Sequence, residues 1–131
     1  MDTAANELLR SIIFDWDKID PQPTATGAKR PFFRGRTGTL DRLACHVSTL
    51  DAGKAAHAPH RHPEEELIIV KEGTLDALHD GGRTVRMAAG SILFIAPNDL
   101  HGVTNPGPGT ATYYVLKWWP PGTVGGDAGG Q

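Results

Sequence analysis

The sequence predicts an all-β protein, an antiparallel sandwich or barrel of the jelly-roll kind with an extended N-terminal arm. Three observations predict it. Sixteen glycines and ten prolines divide the chain into short segments, as expected of many strands joined by turns. From Gly38 onward apolar and polar residues alternate with period two, the repeat of a strand that buries one face. About eight such runs follow one another with turn signals and no helical pattern between them.

In chain order, a short helix is predicted over residues 6–13, where polar residues flank Leu8, Leu9 and Ile12. Residues 21–31, rich in Pro and Thr, read as an extended arm on the surface of the body. In the strand predicted over 40–50, Leu43, Cys45 and Val47 alternate against Arg42, Ala44, His46 and Ser48. Residues 67–70 form an apolar, β-rich run ended by the turn Lys71-Glu72-Gly73. Residues 74–79 lead into Asp80-Gly81-Gly82, a hairpin signal, and residues 83–87 pair back. Ala89-Gly90 precedes a strand over 91–96, and Pro97-Asn98-Asp99 makes the next turn. Strands over 101–105 and 111–119 close the set, and Ile68, Val70, Ile92 and Phe94 read as barrel filling. The predicted organisation is an arm, 1–37, packing on the barrel, 38–119, with a Gly-rich flexible tail, 120–131.

Composition excludes several functions. The formal net charge is -2 and no basic stripe occurs, so a nucleic-acid partner is not expected. Arg30, Arg34, Arg36 and Arg42 are a loose basic cluster interrupted by Asp41, which reads as a solvated face rather than an anion-steering rim. Cys45 is the single cysteine, so no internal disulfide forms, and its apolar setting suits a buried, inert thiol. Apolar runs such as 67–70 and 92–96 are too short to span a bilayer, so no membrane partner is expected. Residues 1–14 lack the basic start and long apolar core of a secretory signal. A cytoplasmic location is the default expectation, with an exported form whose leader was removed as the other.

The chemistry concentrates in His57-Ala58-Pro59-His60-Arg61-His62-Pro63-Glu64-Glu65-Glu66. Residues two apart on a strand share a face, so His60 and His62 present their imidazoles together. Pro63 and the pair Glu64–Glu65 make a turn that returns Glu66 beside them. Two His and one carboxylate form a facial triad suited to a transition metal, with positions left open for water, substrate or dioxygen. A purely structural zinc site would be closed by four tight ligands.

Gly53, His60-Arg61-His62, Glu66 and Gly73 resemble the first signature of the cupin superfamily, with six residues rather than five between Gly53 and His60. Gly90, Pro97, His101 and Asn105 resemble the second, with Asp99 where glycine is common and His101 one residue early. The resemblance implies a jelly-roll barrel, or double-stranded β-helix. It also implies one divalent transition metal (Fe, Mn, Ni or Zn) held by His60, His62, Glu66 and His101. It further implies a metal-dependent enzyme acting on a small organic molecule, of dioxygenase, isomerase or lyase type, with an oxidation of the dioxygenase type preferred. The alternative is a metabolite- or sugar-binding cupin without turnover.

Around that set, Glu66 is the candidate base and His46 a candidate acid–base group, a packed or exposed His46 being the competing reading. Glu64 and Glu65 read as solvated, or one as a substitute ligand; His57 as a rim residue; His79 as exposed. Alternation puts Tyr113, Val115, Lys117 and Trp119 on one face of the last strand and Tyr114, Leu116 and Trp118 on the other. A homodimer is expected, with the N-terminal arm and the Trp118–Trp119 pair as contact elements.

Overall fold

Period-two patterning becomes nine strands in a computed structural model that describes residues 7–124. They are β1 Gln22–Thr24, β2 Gly27–Gly35, β3 Arg42–Leu50, β4 Glu65–Glu72 and β5 Leu75–His79, followed by β6 Arg83–Met87, β7 Ile92–Ile95, β8 Gly102–Thr104 and β9 Ala111–Trp119. One six-stranded sheet has the order β1-β2-β3-β9-β4-β7, and a three-stranded sheet has the order β6-β5-β8. All strand pairs are antiparallel. The expected all-β jelly roll is what forms. No helix among the described residues is long and apolar enough to cross a membrane.

The predicted helix does not form over residues 7–13, and Asn6 lies outside the described residues. The helical turn is a short 3-10 one at Trp16–Lys18, capped by the Asp15 carboxylate, which accepts from the Asp17 N–H. Three or four apolar residues cannot offset helix nucleation without a packed face. Here Leu9 instead donates its N–H to the Arg36 carbonyl at 2.8 Å, and Arg36 donates to Glu7 at 3.0 Å. The Pro-Thr segment forms β1 and β2, and β2 pairs with β3 along its length, broken by a bulge between Pro31 and Phe33. Residues 125–131 of the predicted tail lie outside the described residues. Before them, the N–H groups of Gly122, Thr123 and Val124 donate to Asp41 Oδ2.

Two apolar clusters hold the sheets. Between the sheets lie Leu50, Ile68, Val70, Leu75, Ala77, Leu93, Ile95, Val103, Tyr113 and Val115. Ile92 and Phe94, expected inside, are 61% and 52% exposed on edge strand β7; Leu93 and Ile95 point inward in their place. Four consecutive apolar residues carry no parity signal, and pairing with β4, which sets Ile95 opposite Glu66, decides the face.

The second cluster lies on the outer face of the larger sheet, where Phe14, Trp16 and Ile19 pack with Phe32, Cys45, Val47, Tyr114 and Leu116. Arg30 fastens it. Its Nη1 donates to the carbonyls of Trp16 and Ile19, and its guanidinium lies 4.2 Å from the Trp16 ring centre. β3 is therefore buried on both faces. Leu43, Cys45 and Val47 face the N-terminal segment or its edge, and Arg42, Ala44, His46 and Ser48 face the barrel interior.

Candidate metal centre

The candidate site is assembled at one end of that interior from three pieces of chain. Residues 60–62 form the segment entering β4; β4 supplies Glu66; the turn before β8 supplies His101. A two-residue bridge joins the first and last: His60 N–H donates to the His101 carbonyl and His101 N–H to that of His60, both at 3.0 Å. Asn98 N–H donates to the His62 carbonyl at 2.8 Å, tying the second turn to the first segment.

The early position of His101 has a backbone explanation. Asn98, not Asp99, takes the left-handed conformation, with φ 62°, so the turn reverses one residue sooner. Asn is among the residues that adopt this region most readily.

The ligand atoms of His60, His62 and His101 lie within 4.8 Å of one another, an arrangement that could hold a metal ion. Their rings meet edge to face, with centroids 4.8–5.2 Å apart and interplanar angles of 68–79°, so the nitrogens converge instead of stacking. His62 and His101 are 3% and 1% exposed, and Glu66 is fully buried. His62 Nδ1 lies 2.9 Å from the Glu64 carbonyl and His101 Nδ1 2.8 Å from that of Asp99. A carbonyl only accepts, so each Nδ1 carries its proton and each Nε2 turns a lone pair to the cluster. Glu66 Oε1 is 2.8 Å from His62 Nε2 and 3.6 Å from His101 Nε2. An imidazole nitrogen and a carboxylate oxygen that close share a proton, which a bound cation would replace. The donor set, three imidazoles and a carboxylate, is chemically right for a divalent transition ion.

Burial, aided by the neighbouring His57, His101 and His62, pushes the His60 pKa down to about 4 and keeps that ring neutral; Glu66 acts the other way. For His101 burial also works downward, but Glu66 and the Asp99 carbonyl outweigh it and the pKa is raised.

Other sequence candidates take defined places. His57 stacks on His60 at 4.1 Å, a rim neighbour of the cluster. His46 is buried on the inner face, opposite Val115 of β9. His79 is half-buried, its Nδ1 3.1 Å from the Ala77 carbonyl. Glu65 accepts from Trp118 Nε1 at 3.1 Å. Glu64 is corrected from solvated to buried, at 6% exposure; it shares the inward parity of Glu66, Ile68 and Val70. Trp119 is corrected from a dimer contact to a wholly buried residue of the inner face.

Two inner-face residues were not among the predicted site residues. Lys117 stands directly across from Glu66 and is 3% exposed; burial lowers its pKa while Glu66 and Glu64 oppose that. Arg42, read as part of a solvated face, is 6% exposed and lies 5.4 Å from the Trp119 ring centre. The shared parity of 42, 44, 46 and 48 was visible but its facing was not, because polar residues on a strand are ordinarily assigned to water.

A family model described as "Cupin domain" matches residues 46–117, more than half of the chain. The chain is a cupin. No curated protein sequence matches this cupin significantly. Among solved structures, it is similar to an RmlC-like cupin from Shewanella frigidimarina, at 18% identity and TM-score 0.68, covering 86% of this chain and 95% of that one. KdgF from Halomonas sp. is similar at 19% identity and TM-score 0.67, covering 82% and 94%. A cupin-superfamily sugar phosphate isomerase from Silicibacter pomeroyi is similar at 19% identity and TM-score 0.65, covering 84% and 77%. At these identities the likeness is one of fold.

Proposed function

We propose that this cupin is a mononuclear metal-dependent enzyme acting on a small organic molecule, with His60, His62, Glu66 and His101 holding the ion. The observation that carries the reading is the convergence of ligand atoms of His60, His62 and His101 within 4.8 Å of one another, with the Nε2 atoms of His62 and His101 against the fully buried Glu66 carboxylate. A bound Fe, Mn, Ni or Zn ion would supply Lewis acidity at positions the protein leaves open. The chain's own part is to hold the donors. Nδ1–H bonds to the Glu64 and Asp99 carbonyls fix two rings, and the His60–His101 bridge fixes the spacing. Glu66 is the candidate base, and His46, on the same inner face, a candidate acid–base group. An oxidation of the dioxygenase type and an isomerase or lyase reaction both suit such a donor set, and one structural neighbour is described as a sugar phosphate isomerase.

A homodimer is part of the proposal. Of the expected contact elements, the N-terminal arm and the Trp118–Trp119 pair, Trp119 is buried within the barrel, and edge strand β7, where Ile92 and Phe94 stand exposed beside Leu67 and Ile69, is added as a contact surface.

Metal analysis by mass spectrometry on untagged protein tests the reading, with a His60→Ala/His62→Ala double variant as control. Near-stoichiometric metal in the parent and none in the variant is expected. A parent that takes up no ion on reconstitution overturns the proposal and leaves a metal-free small-molecule binding cupin.

A further inference from the structure

The Pro-Thr segment, expected as an arm on the surface, closes against the end of β3 and leaves a cleft of about 120 Å3 between them. Thr24 and Thr26 of the β1–β2 hairpin, Lys29 of β2, Ser48 of β3 and Ala56 of the segment after β3 line it. The hairpin is held in place by its backbone. Gly27 pairs with Leu50, and a Cβ at Gly27 would collide with the Thr49 carbonyl oxygen, so only glycine lets the turn approach β3 this closely. Asp51 N–H donates to the Thr26 carbonyl at 2.8 Å, and Lys29 pairs with Ser48. The cleft is thus a built part of the fold.

Its size limits what it can take. Liquid water occupies about 30 Å3 per molecule, so the space is that of about four waters. That suits one small polyatomic group. Ala28 and Ala56 contribute only methyl groups to the walls, which keeps the space open.

The chemistry of the lining is cationic and hydroxylic. Lys29 is the one charged residue among the lining groups, and it is half-buried. Among the described residues its ammonium group forms no salt bridge or hydrogen bond. Burial first, and then the like charge of Arg34, lower its pKa, and no carboxylate opposes them. A charge drawn partly out of water without a counter-charge is costly, and a bound anion removes that cost. Ser48, 6% exposed, adds a hydroxyl at the inner wall, and Thr24 and Thr26 add two more from the hairpin. Each hydroxyl can donate one hydrogen bond and an ammonium three. Thr49 Oγ1 is engaged elsewhere, 3.1 Å from Thr112 Oγ1.

We infer that this cleft binds a phosphoryl group, with Lys29 as its cationic anchor and Ser48, Thr24 and Thr26 as hydroxyl donors. A point charge among hydroxyls, with no planar guanidinium fork in the lining, suits a tetrahedral oxyanion better than a flat carboxylate. The site is separate from the histidine cluster. Ala44 shares a row with Lys117 and Glu66, and Ser48 lies further along β3, about 13 Å away at the rise of a strand. The inference therefore stands whether or not the cluster loads a metal.

Amide NMR of the full-length protein, as purified and again after chelator treatment, tests it by titration with inorganic phosphate, glycerol phosphate and acetate at constant ionic strength. Phosphate is expected to shift the Thr26, Lys29 and Ser48 amide signals saturably in both preparations, and acetate to bind about tenfold or more weakly. Tighter binding of glycerol phosphate assigns the site to a phosphate ester, and tighter binding of inorganic phosphate assigns it to the free ion; both support the inference. Lys29→Met is expected to weaken phosphate binding about tenfold or more. Should that variant not fold, Ser48→Ala takes its place, with a severalfold loss expected. The inference is overturned if phosphate moves none of these signals, if acetate binds as tightly, or if the folded variant binds like the parent. It is overturned equally if the shifts centre on His60, His62 and His101 and vanish with the chelator.

Discussion

Removing the Asn105 side chain should destabilise the barrel while sparing the metal cluster. Asn105 is 1% exposed. Its Nδ2 donates to the Leu50 carbonyl at 2.9 Å and to the Gly109 carbonyl at 2.8 Å, and its Oδ1 accepts from Gly107 N–H at 2.8 Å. One amide thereby ties the end of β3 to the turn that leads into β9. Three hydrogen bonds at about 1 kcal/mol net each, with the buried Leu50 carbonyl deprived of this donor, give a loss of about 3–4 kcal/mol for Asn105→Ala. For a domain of this size that is a fall in Tm of roughly 10–15 °C. Asn105→Asp should cost at least as much, because an aspartate cannot donate and would set its charge against two carbonyl oxygens. Urea unfolding followed by tryptophan fluorescence measures the loss, and metal content at 20 °C below Tm measures the site. An Asn105→Asp protein within about 0.5 kcal/mol of the parent would refute the reasoning, since that is the range of surface changes. Metal content that fell with an unchanged Tm would refute it from the other side.

Further predictions concern turns, protons and the thiol. Gly73 has φ 77°, and a Cβ there would lie 2.6 Å from the Thr110 carbonyl oxygen, whereas Gly81 has φ 76° and open space. Thermal melts should therefore show Gly73→Ala losing about 3 kcal/mol or more and Gly81→Ala about 1 kcal/mol; equal losses would remove the steric argument. Loading chelator-treated protein with metal should release protons, because His62 and Glu66 share one at 2.8 Å. Calorimetry in two buffers of different ionisation enthalpy reads this, and identical heats would contradict it. Burial raises the Cys45 pKa to about 12, so the folded chain keeps a proton that the unfolded chain loses near 8.5–9. That contribution is complete below pH 8.5 and is lost as pH rises toward 12, by up to about 1.4 kcal/mol per unit. Urea unfolding at pH 8 and 10 should therefore show the parent losing about 1–2 kcal/mol more than Cys45→Ala, and equal losses would count against a buried thiol.

How much of this was legible from residues alone depends on where parity carried information. His60 and His62 were legible because residues two apart share a face; Glu66 was expected to return through a turn at Pro63–Glu65, whereas β4 begins at Glu65 and Glu66 lies on it with the parity of Ile68 and Val70. His101 is brought in by the backbone bridge to His60, a long-range pairing that only the motif resemblance pointed to. In Ile92–Ile95 every residue is apolar, so nothing local distinguished Leu93 and Ile95 from Ile92 and Phe94. The Pro-Thr segment obscured β2, which keeps its place through the bulge at Pro31–Phe33, where the ladder tolerates a missing N–H.

The deeper difference lies in β3. An apolar stripe of Leu43, Cys45 and Val47 opposite Arg42, Ala44, His46 and Ser48 looks like a strand with apolar residues inward and polar residues in water. The structure inverts that assignment. Phe14, Trp16 and Ile19 cover the apolar stripe from outside, adding a second core, and this frees the inner face to carry His46, Arg42 and Ser48. Burying each apolar side chain of the outer cluster contributes about 1.5–3 kcal/mol, which offsets the cost of polar groups inside the barrel. β9 follows the same plan. Tyr114 and Leu116 join the outer cluster while Tyr113, Lys117 and Trp119 face inward. A polar interior at this end of the barrel is therefore a consequence of the covering N-terminal segment. The same residues that make the fold affordable place a cationic, hydrogen-bonding wall beside three convergent histidines.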